Sequence, residues 1–256
     1  MKHAFSLVEL SIVLVILGLL TGGILGGQSL IRAAELRSLS TDATRYTTAV
    51  YTFRDKYFAL PGDMTNATAF WGAAPDCSAQ TASGSATCNG NGNGQMTWSG
   101  TYPERAEIFT FWQQLANAGL IEGSYNGVRG PGTFPAATVP GTNAPRTRIS
   151  NGCWTVYNTS STTSFNLTTS NQSNAFIAGG LGGSSPNNDY CHAAFIRAEE
   201  LWNIDTKMDD GLPGQGTIVT WNQTRLPNCG STNDPATAVY NLSNTAMSCS
   251  LIQLLR

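Results

Sequence analysis

From Leu10 to Ile31 the chain runs for 22 residues without a charge. About 20 apolar residues suffice to cross a bilayer as a helix. An acid, Glu9, stands at the mouth of this run, and no basic residue lies within it. A carboxylate near the bilayer centre costs roughly 2.5–3.5 kcal/mol on insertion scales, and less at the membrane edge. Any fold for this chain must therefore house a membrane-length helix and give Glu9 a reason to be there.

The helical period continues past the apolar run. Leu39, Ala43, Tyr46, Val50, Phe53 and Tyr57 recur at spacings of four, three, four, three and four. That is the apolar stripe of an amphipathic helix, and Pro61-Gly62-Asp63 ends it. One helix over residues 5–58 would be about 80 Å long. Its first half is apolar all round, and its second half has one face for a core.

Beyond the helix, roughly 200 residues remain, enough for one domain with its own core. Charged residues are 12% of the chain, about half the usual share of a soluble domain. A net charge of -2 supplies no basic field for nucleic acid. The six cysteines, Cys77, Cys88, Cys153, Cys191, Cys229 and Cys249, all follow the apolar run. No CxxC pair occurs and the only histidines are His3 and His192, a poor set for zinc. An even cysteine count in an exported chain favours disulfides. Six cysteines allow 15 connectivities. Sequential pairing closes three local loops and is the preferred one, with buried free thiols as the alternative.

Within residues 61–256, a loop region is expected over 62–100 and helices over 103–118 and 191–208. Strands are expected over 153–158, 164–168, 174–178 and 217–222 and in the C-terminal SLIQLL. The Asn89–Gly94 alternation echoes the spaced oxygens of a calcium loop, but it lacks acids and reads as a flexible turn. Glu104/Glu107 and Glu199/Glu200 read as solvated charge on helices. No GxSxG, HExxH or phosphate loop is present, so no enzymatic activity is expected.

The residues Ala4-Phe5-Ser6-Leu7-Val8-Glu9-Leu10 resemble the processing motif of type IV prepilins and type II secretion pseudopilins. The resemblance is specific over residues 1–60 and architectural beyond them. It implies a leader over 1–4 and a cut between Ala4 and Phe5 by a prepilin peptidase, although the family usually has Gly where this chain has Ala4. It further implies N-methylation of Phe5, and it places Glu9 at the fifth mature position. The counterpart of Glu9 would then be the new α-amino group of Phe5 on a neighbouring subunit, a pair whose rupture strands a charge in low dielectric.

The expected fold is α+β and pilin-like, a long N-terminal helix packed on an antiparallel sheet with helical and loop insertions. Residues 5–31 would form its membrane and assembly half, 32–60 its amphipathic half, and 61–256 the globular domain. Gly22, Gly23, Gly26 and Gly27 would either let helices approach closely or melt the helix locally during assembly. The implied partners are the peptidase, other copies or related pilins, an inner-membrane assembly platform and lipid. The implied location is the bacterial inner membrane with the domain in the periplasm, then a surface pilus or a periplasmic pseudopilus. The alternative is a membrane-anchored or filament-tip binding protein, an adhesin or a calcium-dependent minor pilin. No cofactor is expected, apart from calcium. Some members hold it in loops near the C-terminus, where this chain has Asp205, Asp209 and Asp210.

Overall fold

The computed structural model describes residues 7–78, 81, 84–97, 106–131, 138–159, 166–167, 174–182, 191–222, 224 and 226–255. Ala4, Phe5 and the proposed leader lie outside them.

Helix α1, Leu7–Tyr57, is one unbroken helix of 51 residues, about 76 Å long. The two halves differ as their sequences dictate. From Leu7 to Ile24, and again at Leu30 and Ile31, the large aliphatic side chains stand in the open, with Leu7 86% exposed and Leu19 73%. The 18-residue apolar window of α1 has none of its residues buried, and α1 is long and apolar enough to cross a membrane. From Leu39 onward the stripe turns inward: Leu39, Ala43, Tyr46, Val50 and Phe53 are buried. The helix runs through Gly22, Gly23, Gly26 and Gly27 without a break, and open space surrounds each of them. Close packing at these glycines therefore has no counterpart within the described residues.

The stripe packs on a layer made of α3, Glu107–Asn117, and a five-stranded antiparallel sheet. The strands are β1 (Gly152–Asn158), β2 (Asn166–Leu167), β3 (Asn174–Gly180), β5 (Ile218–Trp221) and β7 (Leu251–Leu255), in the order β1-β3-β7-β5-β2. Register runs from Gly152↔Gly180 to Asn158↔Asn174 between β1 and β3, and from Asn174↔Leu255 to Ala178↔Leu251 between β3 and β7. The C-terminal strand is thus central in the sheet. Tyr46 joins the layers, with its ring 5.1 Å from Trp112 on α3, 5.4 Å from Trp154 on β1 and 5.9 Å from Phe176 on β3.

A second, two-stranded sheet pairs β4 (Ile196–Arg197) with β6 (Met247–Cys249), beside helix α4, Ala198–Met208. The helix expected over 191–208 therefore starts late, at Ala198. Residues 191–197 are claimed by long-range pairing. Ala193 exchanges backbone hydrogen bonds with Gly180, and the Phe195 amide donates to the Cys249 carbonyl. The helix expected over 103–118 starts at Glu107, because Ala106 is extended (ψ 151°). Residues 103–105 lie outside the described residues, as do 164, 165 and 168 around β2. The region expected as loop contains a single-turn helix α2, Thr68–Trp71.

All six cysteines are joined sequentially: Cys77–Cys88, Cys153–Cys191 and Cys229–Cys249, with Cα separations of 6.0, 5.4 and 5.1 Å. These are ordinary disulfide spans.

Candidate functional site

Three arrangements carry chemistry that packing alone does not require. The first is the exposed half of α1. Glu9 lies in its first turn, on the exposed surface, directly before the uncharged run. A helix bearing this much apolar surface must be covered, by lipid or by other helices. At the far end of the run, Arg32 holds the globular domain in place. Its guanidinium grips both Glu200 oxygens at 2.7 Å and reaches Glu35 at 3.1 Å. Glu200 Oε2 also accepts the Arg197 amide in the capping box that starts α4. Burial pushes the Glu200 carboxyl up, but the Arg32 and Arg197 hydrogen bonds outweigh it and hold the group below the usual range. Glu200 is thus a structural tether between α4 and α1, not the solvated charge its sequence context implies.

The second arrangement is the loop after Cys88. Its amides point inward at two buried acids. Gly92, Asn93 and Gly94 donate to the Asp63 carboxylate at 2.7, 3.0 and 2.8 Å. Asn91 and Thr97 donate to Glu107 at 3.3 and 3.2 Å. The alternating glycines let the backbone approach this closely: a Cβ on Gly90 would collide with the Asp63 backbone, and Gly92 has φ +73°. Amide hydrogens aimed at the centre bind anions, not cations. Neither the calcium reading nor the flexible-turn reading of Asn89–Gly94 holds here: the loop is pinned on Asp63 and Glu107. Glu107 is 3% exposed, again against the solvated reading.

Burial raises the Glu107 carboxyl to about 7, with the Asp63 charge adding to the rise and the Thr97 and Asn91 hydrogen bonds opposing it. The unfolded chain titrates this group near 4.5. The folded state therefore binds more protons between those values, and stability falls as pH rises through them. We predict that Glu107 alone contributes a drop in the unfolding free energy on the order of 2 kcal/mol between pH 4.5 and pH 7.5. Denaturant titrations should show a flatter pH profile for Glu107→Gln; an unchanged profile would assign the slope elsewhere.

The third arrangement is Asp205, Asp209 and Asp210 at the end of α4, whose carboxylate oxygens lie within 4.8 Å of one another. Asp205 is fully buried. It accepts the Tyr240 hydroxyl at 2.8 Å and the Gly211 amide at 3.2 Å. Burial is the main cause that raises its carboxyl to about 7. Asp209 accepts the Thr217 and Ile218 amides, and Asp210 accepts the Leu212 amide at 2.8 Å. The sequence-predicted trio is thus brought together in space, and it is tied into the β5 edge. Tyr240 is the member that sequence reasoning missed; nothing near it in the chain points to Asp205.

No protein-family model, no curated protein and no solved structure matches the chain.

Proposed function

We propose that the chain is a structural subunit of a type IV pilus-like or type II secretion pseudopilus filament. A prepilin peptidase frees Phe5, and the subunit assembles through its N-terminal helix. One observation carries the reading: a single 51-residue helix whose first half is an exposed apolar rod with Glu9 in its first turn, and whose second half is the spine of an α+β domain. A plain anchor needs a span but no rigid continuation into the core. A filament subunit needs both, since the same helix must pack in the assembly and carry the domain outward.

In this reading the chain is a single-pass inner-membrane precursor with its domain in the periplasm, which suits three disulfides. It then enters a surface or periplasmic filament through an inner-membrane assembly platform, and it has no catalytic role. Antibodies against the globular domain should decorate filaments sheared or purified from producing cells. Labelling confined to membrane, with no filament at native expression, would reject the reading.

The Asp205–Asp209–Asp210 cluster favours a second reading, a calcium-dependent minor or tip subunit. Three carboxylates that converge within 4.8 Å suit a hard cation with oxygen ligands. In that case, millimolar calcium raises the melting temperature of the purified protein by several degrees, and Asp209→Asn abolishes the increment. Equal melting with calcium and with chelator would remove calcium from the account.

A further inference from the structure

A groove of about 1040 Å³ runs between α1 and α4, and its place along α1 limits what can fill it. The uncharged run ends at Ile31, and the groove begins two residues later, at Ala33. The 22 residues of the run make about 33 Å of helix. That matches the hydrocarbon core of a bilayer, beyond which lies a headgroup layer of about 5–8 Å on either side. The groove therefore opens at the membrane surface. Its floor is apolar, with Ala33, Leu36, Ile204 and Met208, and it continues the exposed aliphatic surface that ends at Leu30 and Ile31. Its rim carries Arg37 and Lys207, both exposed and in no ion pair among the described residues. The acids at this level are engaged elsewhere or turned away: Arg32 holds both Glu35 and Glu200, and Glu199 does not line the groove. Arg45, higher on the rim, is held by Asp42 and Glu122.

We propose that this groove is a binding site for an anionic phospholipid of the membrane that α1 spans. The heights agree. Arg37 lies five residues past Arg32 (37 − 32 = 5), about 7.5 Å along α1. Lys207 lies seven residues past Glu200 (207 − 200 = 7), about 10 Å along α4, and Glu200 is bonded to Arg32. Both cations thus stand near the top of the headgroup layer. Their side chains are long enough to lay their stems on the apolar lining and bring the charge down to the phosphates. A free phosphate would meet the cations and leave the floor bare. A neutral lipid would cover the floor and leave the cations without a counterion. An anionic phospholipid satisfies both. The Arg32–Glu200 bond fixes α4 at that level, so the site needs no second copy to complete it. The proposal rests on the membrane-spanning part of the reading above and on nothing that concerns assembly.

The test uses the full-length chain in vesicles of equal parts phosphatidylglycerol and phosphatidylcholine. The native cysteines are all in disulfides, so a benzophenone can be attached through Asn203→Cys, a position that lines the groove on α4. After illumination, mass spectrometry counts the protein–lipid adducts. Phosphatidylglycerol adducts are expected to exceed phosphatidylcholine adducts at least about tenfold, since each cation near an anionic surface favours it about fivefold. Arg37→Gln and Lys207→Gln should each lower that preference about fivefold, and the double variant should leave adducts in the ratio of the lipids. Both side chains are exposed, so the melting temperature should hold. Lys56→Gln, in the last turn of α1, should leave the preference unchanged, and so should millimolar inorganic phosphate. Adducts in the ratio of the lipids, a preference that survives the double substitution, or one that phosphate removes would overturn the site while leaving the span intact. Cross-links between two copies in place of lipid would assign the groove to a second copy and overturn it as well. A chain that alkaline carbonate strips from the vesicles would overturn the span and the site together.

Discussion

Cells that make only Glu9→Ala subunits will contain normal amounts of membrane-bound, folded protein and will lack filaments. Removing an acid from the edge of an apolar segment eases insertion, so a failure cannot be assigned to the anchor. The globular domain is equally insulated. Arg32, which ties α1 to the domain through Glu200, lies 23 residues or about 35 Å along the helix from Glu9. In the proposed assembly the carboxylate neutralises the Phe5 amine of a neighbour, and its loss leaves that ammonium uncompensated at a cost of about 3–5 kcal/mol per contact. The defect should be close to complete, because every subunit in the filament carries it. Glu9→Gln keeps the shape without the charge and should fail similarly. Counting filaments by electron microscopy beside a blot of the membrane fraction separates assembly from expression.

Tyr46→Ala will have the largest effect on the domain itself. The ring is 2% exposed and sits between Trp112, Trp154 and Phe176, so it links α1 to both α3 and the sheet. Truncation leaves a cavity that three large rings cannot collapse to fill. Comparable aromatic deletions cost about 3–5 kcal/mol, a large part of the 5–15 kcal/mol typical of a whole domain. Tyr46→Phe should cost far less, about 1 kcal/mol, since it loses only the 3.2 Å hydrogen bond from Arg45. Denaturant midpoints of the soluble domain, with α1 retained from residue 32, would give both values. Equal destabilisation by the two variants would place the importance of Tyr46 in its hydroxyl instead of its ring.

The parts of this fold that were legible in the sequence are those in which neighbours in the chain settle the outcome. The stripe from Leu39 to Tyr57 is a local period, and it reports a buried face directly. Strand β1 (Gly152–Asn158) is a run of β-formers, and the disulfides close short loops. The misreadings concern segments decided from afar. Residues 191–197 have helix-compatible side chains, but their backbone is claimed by Gly180 and by Cys249, more than 50 residues downstream. Glu107 looks like a first-turn acid in water, but it is capped by amides from Asn91 and Thr97 across a fold of the chain. The glycine alternation at Gly90, Gly92 and Gly94 was the available signal for a backbone that must approach something closely. What it approaches, Asp63, lies some thirty residues away and could not be read locally. Tyr240 and Asp205 are separated by 35 positions and show the same limit.

The contact between Glu9 and a neighbouring amine exists only if the chain is cut before Phe5, so the N-terminus decides the central claim. Mass spectrometry of the N-terminal peptide, taken from protein recovered from the producing cell's own membranes and filaments, reads it directly. The account predicts a chain beginning at Phe5, with a methylated amine and Glu9 at the fifth position. A chain that still begins at Met1, or one cut beyond the apolar run, would contradict it.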